Sequence, residues 1–160
     1  MIRELLESLK YVGHYFAIFF LRMYVGLYIF NLGLDKLYGA YLTEPLLAAQ
    51  INEFLNISKT PAGIDYFFLN IVRPYWTTFS KLQVGIELGA GLLLILGFLV
   101  RPVMLIIIFY LWIFSYIQAP ELWPWMSMLS AVMFSLGWAG AGRCMGVDYY
   151  FYKRYRGFLW

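Results

Sequence analysis

Four runs of apolar residues, each close to the length that crosses a bilayer, take up about half of this 160-residue chain. They cover residues 11–34, 79–100, 102–117 and 125–141. A spanning helix needs about 20 mostly apolar residues, because the hydrocarbon core is about 30 Å thick and each helical residue rises about 1.5 Å. The first run is broken only by Arg22 and the second only by Glu87; the third is rich in Ile and Leu, and the fourth in Ser, Ala and Gly. Burial in a water-soluble core is not an alternative. The chain is 62% hydrophobic and 13% charged, with a mean hydropathy of +0.69. Soluble domains run at roughly 45–50% apolar and about 25% charged, and a short chain has too little interior to hide such an excess. The expected fold is therefore all-α: one integral membrane domain over residues 1–160, a bundle of four transmembrane helices in a lipid bilayer.

The breaks between the runs define how the helices connect. Arg101-Pro102 is a tight turn, since proline suits the first turn of a helix, where its missing N–H is not needed. Residues 118–124 hold two prolines and are equally short, so spans two, three and four are expected as antiparallel neighbours. Residues 35–78 form a much longer connection. Within it, residues 45–55 have the helical spacing of a short helix lying on the membrane surface, and residues 64–72 read as a second short helix. Lysine and arginine bias sets the orientation. Arg3, Lys10, Arg101, Arg143, Lys153, Arg154 and Arg156 fall on one side, against Lys36, Lys59, Arg73 and Lys81 on the other. Both termini are thus expected in the cytoplasm and the long connection outside. The basic run near the C-terminus is too short to suggest nucleic acid binding; it reads as a cytoplasmic stop, with room for an anionic lipid headgroup. Most of the aromatic residues, 21% of the chain, read as anchors at the headgroup level.

The candidate site comes from the charges inside the runs. A charge at the bilayer centre costs about 2.5–3.5 kcal/mol on insertion scales, so it turns inward and finds a partner. Counted from Tyr11, Arg22 lies about 16 Å deep; counted from Phe79, Glu87 lies about 12 Å deep from the opposite face. These depths place the two side chains at one level and predict an Arg22–Glu87 ion pair, either structural or functional. Gln83 lies one turn from Glu87 and extends its polar stripe. Asn31 and Asp35, one turn apart, and Lys36 are expected at the outer mouth of a pocket between spans one and two. Gly26 and Gly33 on span one, the Gly85/Gly89 pair on span two and Gly137 on span four are expected to line packing seams, because small residues let membrane helices approach closely.

The single cysteine, Cys144, excludes an intrachain disulfide and a CxxC pair, and the single histidine, His14, excludes bis-histidine haem ligation. A His/Cys metal cluster is not expected, and no catalytic residue stands out. No signal peptide is read in the first residues, which carry Glu4 and Glu7.

Three segments together resemble the DoxX family. Leu21-Arg22 with Gly26, Gly33 and Lys36 is similar to that family's opening helix. The stretch from Glu87 through its glycines to Arg101 resembles the second helix, with its closing Gly-x-x-x-Arg. Residues 140–148, GAGRCMGVD, resemble the C-terminal Gly-x-Gly motif that ends in Leu-Asp, with valine here in place of leucine. Members include the small DoxD-type subunits of thiosulfate:quinone oxidoreductase, and others associate with membrane redox or thiol-stress complexes. The resemblance implies a bacterial cytoplasmic membrane, partner membrane subunits and contact with a quinone, without catalysis by this chain alone. Any redox chemistry would draw on a bound quinone, another cofactor or a partner subunit. The alternatives are a non-catalytic accessory subunit packed on a larger respiratory or photosynthetic complex and, behind it, a small transporter component.

Overall fold

The computed structural model describes residues 16–55, 57 and 60–155, and among them every regular element is helical. The chain runs through α1 (Phe16–Tyr38), a 3-10 turn (Ala40–Leu42), α2 (Leu46–Phe54) and α3 (Ala62–Phe67), which continues as a π turn (Phe68–Val72). It proceeds through α4 (Trp76–Leu96), α5 (Val100–Ser115), a 3-10 turn (Pro120–Leu122) and α6 (Trp123–Trp138). A further 3-10 turn (Ala141–Arg143) leads to α7 (Val147–Tyr155). Helices α1 and α4, with 23 and 21 residues, are long and apolar enough to cross a membrane. Helices α5 and α6 have 16 residues each. The helix bounds differ from those expected. Span one extends to Tyr38, and its expected part at residues 11–15 lies outside the described residues. Helix α4 begins three residues before the apolar run, and α5 takes Arg101 and Pro102 into its first turn.

Helices α1 and α4 form an antiparallel pair whose register is fixed by three close approaches. A Cβ added to Gly26 would lie 3.0 Å from Ile95, one on Gly33 2.9 Å from Leu88, and one on Gly91 2.7 Å from the Phe30 Cβ. Gly26 and Gly33 therefore occupy the seam expected of them. Gly85 and Gly89 do not: a Cβ on either meets nothing within 4 Å. They face outward beside a shallow groove between α4 and α5, and Gly91, on the opposite side of α4, takes the seam position instead. Gly137 packs α6 against Met104 of α5.

The α4–α5 turn closes by backbone chemistry. Gly97 adopts φ +65°, its N–H donates to Leu94 O at 3.1 Å, and the Phe98 N–H donates to Leu93 O at 2.9 Å. This pairing satisfies carbonyls that a helix end leaves open.

Two cores result. At one end, hereafter the Arg22 end, Val25, Ile29, Leu94, Val100, Ile107 and Met133 join α1, α4, α5 and α6. At the other, the Glu87 end, the connection after α1 packs down on the bundle. Leu47, Ile51, Phe68 and Val72 are fully buried with Val84 and Ile117. The expected membrane-lying helix is present as α2, but its apolar stripe faces protein. Leu47 and Ile51, at i and i+4, point inward, while Asn52 and Glu53 are exposed. The reason is the pairing of two weak helices. Phe68 and Val72 supply α2 with an apolar surface, and each such side chain gains about 1.5–3 kcal/mol on leaving water.

Candidate functional site

Glu87 sits near the middle of α4 with its side chain 3% exposed. Lys36, from the last turn of α1, forms an ion pair with its Oε1, and the Tyr110 hydroxyl of α5 donates to the same oxygen. The chain of hydrogen bonds continues away from Glu87. The Gln83 amide Nε2 donates to the Tyr110 oxygen at 2.7 Å, and the Tyr41 hydroxyl donates to Gln83 Oε1 at 2.6 Å. Tyr41 arrives from the 3-10 turn after α1, and its ring lies 5.3 Å from the Lys36 ammonium. Burial, reinforced by the negative charge of Glu87, pushes the Tyr41 phenol above its ordinary range and keeps it a donor. Glu87 Oε2 is buried with no hydrogen-bond partner, an open acceptor in a site where such atoms are costly. Lys36 is 23% exposed and links the cluster to the outside.

Beside the cluster is an apolar cavity of about 190 Å³, walled by Phe67, Phe79, Phe109 and Phe114, with Gln83 and Tyr110 contributing apolar atoms to its lining. A larger groove of about 500 Å³ runs between α5 and α6, lined by Trp112, Trp123, Ser127 and Ser130. The Ser127 and Ser130 hydroxyls there donate to Pro124 O and Met126 O of their own helix, and neither Glu87 nor Lys36 lines that groove. The smaller cavity is the one that borders the Glu87 cluster, through Gln83 and Tyr110.

The expected Arg22–Glu87 pair does not form. By the α1–α4 register, Glu87 stands opposite Leu34, and Arg22 stands opposite the turn beyond α4. The two are about 12 residues apart along α1, or about 18 Å. The depth count failed because it took both helices to start at the membrane boundary, whereas glycine packing shifts them. Arg22 instead belongs to a second cluster at the far end. Fully buried, its Nη1 donates to Ala141 O at 2.6 Å and to Cys144 O at 3.0 Å, and the Phe19 ring lies 5.3 Å away. Gly97 and Gly146 make room for it: a Cβ on Gly97 would lie 2.7 Å from Arg22 Cζ. Asp148 completes this end by accepting the Leu99 N–H at 2.7 Å and the Val100 N–H at 3.1 Å, capping α5. Burial raises the Asp148 carboxyl, and those two N–H groups pull it back down.

Of the expected outer mouth, only Lys36 turns inward. Asn31 and Asp35 share a face, as their spacing requires, but it is the exposed one. Gln83 joins Glu87 as its position one turn away suggests. Tyr41 and Tyr110 were not singled out in the sequence, where tyrosines read as headgroup anchors. The usable signal was that Tyr110 sits inside an Ile-rich run, where a buried hydroxyl needs a partner.

A family model described as DoxX matches residues 17–118. The chain belongs to the DoxX family. That match contains Lys36, Tyr41, Gln83, Glu87 and Tyr110, and stops before the 141–148 segment that holds Arg22. DoxX is a membrane family, and with α1 and α4 of spanning length and apolarity this DoxX chain is a membrane protein in contact with lipid. Neither the curated proteins nor the solved structures yield a match.

Proposed function

We propose that this DoxX chain is a small subunit of a quinone-linked redox system in the bacterial cytoplasmic membrane. In this reading it docks a quinone in the cavity beside Tyr110 and Gln83. It crosses the membrane four times through α1, α4, α5 and α6, with both termini cytoplasmic and α2 and α3 forming a cap on the outer side. The observation that carries the reading is the buried Tyr41–Gln83–Tyr110–Glu87–Lys36 chain along the edge of an aromatic cavity. A flat, apolar ring suits such a pocket: phenylalanines hold the ring, and Gln83 and Tyr110 stand directly behind the wall, within reach of its oxygens after a small side-chain rotation.

When bound, the quinone supplies the two-electron chemistry, and a partner subunit exchanges the electrons. The residues of this chain handle position and protons. Gln83 has a second amide hydrogen to offer a carbonyl oxygen. The Tyr110 hydroxyl can take a proton from the ligand side as it passes its own to Glu87. Lys36, partly exposed, stabilises the Glu87 carboxylate and leads to the outer aqueous phase.

The test is titration of a short-chain ubiquinone into the purified chain in nanodiscs, together with mass spectrometry of quinone carried from native membranes. Wild type is expected to hold about one quinone per chain. Tyr110→Phe and Glu87→Gln should each weaken binding by about tenfold or more, since hydrogen bonds involving a charged group are worth roughly 1.5–3 kcal/mol. Absence of bound quinone, or equal affinity in both variants, refutes the assignment. One observation favours a second reading as an accessory subunit: the open Gly85/Gly89 face of α4 is shaped to receive a helix from a partner protein.

A further inference from the structure

The cavity beside Gln83 and Tyr110 does not end at the Glu87 cluster. Its lining includes Ile86 of α4 and Ile106 of α5, and the same two side chains line a groove of about 180 Å³ that runs past Gly85 and Gly89. The two spaces are therefore neighbours along one crevice between α4 and α5. The crevice leads from Gln83 and Tyr110 to Leu93 and Val103, toward the Arg22 end. Gln83 and Leu93 are about 15 Å apart along α4, at about 1.5 Å per helical residue.

Two properties of the groove restrict what can fill it. Its lining is glycine and aliphatic side chain throughout, with Ala90 and Val103 the buried members, so it offers a ligand no polar side chain. It is also open to the bilayer: Gly85, Gly89 and Ile106 are exposed, and a Cβ added to either glycine would meet nothing within 4 Å. A slot left empty forfeits dispersion contacts along its walls, so an apolar chain belongs in it. Lipid tails are as apolar as the slot, and burial alone does not choose among such chains. Linkage does. A chain joined to a ring docked in the adjoining cavity reaches the slot at a high effective concentration that a free acyl chain lacks. The wider groove between α5 and α6 has no such link, since none of the residues lining it also lines the cavity.

We propose that the Gly85/Gly89 groove holds the apolar tail of the quinone whose ring docks beside Gln83 and Tyr110, which makes the ligand a long-tailed quinone entering from the bilayer. Exposed Leu82 and Phe109 in the cavity lining put its mouth on the lipid side. Gly85 and Gly89 are then specificity determinants, because any larger side chain there occupies the path of the tail. The inference rests on the quinone assignment of the cavity.

Decylubiquinone and the same ring without its tail are titrated into the full chain in nanodiscs, with ligand expressed per lipid so that partitioning cancels. Wild type should bind the tailed form more tightly. Gly85→Leu and Gly89→Leu should each weaken decylubiquinone about fivefold or more, as overpacking does, and leave the tail-free ring at its wild-type affinity. Ser127→Leu, in the groove between α5 and α6, should alter neither. Each variant is read only if its melting temperature matches wild type. A measurement on the unaltered chain stands beside them: decylubiquinone with a photoreactive diazirine at the tail end should label α4 near Leu93 and α5 near Val103. Labelling confined to α6 overturns the proposal. Wild-type affinity for the tailed form in both glycine variants also overturns it, leaves the quinone cavity standing and gives the glycine face to a partner helix. Equal loss of tailed and tail-free ligand overturns it too, since the glycines would then act on the ring site. Failure of wild type to bind either ligand refutes the quinone assignment itself, and the role of the groove with it.

Discussion

Glu87 shows how a residue's burial can be read from sequence while its partner is misassigned. A lone carboxylate in an apolar run, with Gln83 one turn away, was legible as a buried polar cluster because lipid makes such a group too costly to leave unpartnered. That Lys36 answers it, and not Arg22, depends on which neighbour the helix register brings within reach. Lys36→Met should therefore be severe: it leaves Glu87 buried without its counter-ion, a change that costs about 3–5 kcal/mol in comparable pairs. Thermal unfolding in detergent should show a large drop in midpoint, and the double variant Lys36→Met/Glu87→Gln should recover much of it. A double variant no more stable than the single one would show that the pair is not coupled.

At the scale of elements, hydropathy located the helices but not how they meet. The runs at 11–34 and 79–100 mark the end of α1 and both ends of α4 to within about a turn, yet their register is written in Phe30 against Gly91 and Gly33 against Leu88. Hydropathy is blind to such pairs, because glycine and its outward-facing counterparts look alike in sequence. The two kinds of glycine should separate by mutation. Gly33→Leu should destabilise the chain by about 1–3 kcal/mol through overpacking. Gly85→Leu should leave the melting temperature of the isolated chain unchanged. If Gly85→Leu destabilises the isolated chain as much as Gly33→Leu, then α4 does not present the face described. The connection between α1 and α4 makes the same point. Its two short helices were readable from spacing, but their mutual burial was not. Leu47→Ala or Ile51→Ala should cost about 2–5 kcal/mol, as in other well-packed cores. Limited proteolysis would then cut between residues 39 and 75 faster than in wild type; an unchanged rate would mean that the cap does not depend on this packing.

For the whole molecule, the two charged clusters divide the labour between the ends of the bundle. The Glu87 end combines partly exposed Lys36, a hydrogen-bonded chain and a cavity; the Arg22 end ties α1, α4, α5 and the C-terminal segment into one knot. That knot has a consequence for biogenesis. The acceptors of Arg22 are Ala141 O and Cys144 O, 119 and 122 residues further along the chain. At translation speeds of roughly 5–20 residues per second, about 6–24 seconds separate the arginine from its first acceptor. Helix α1 must therefore enter the bilayer with a guanidinium whose final partners have not been made, and water or headgroups at the membrane surface must shelter it until then. The fold of this protein therefore cannot be completed helix by helix: α1 reaches its native contacts only when the 141–144 segment has been delivered.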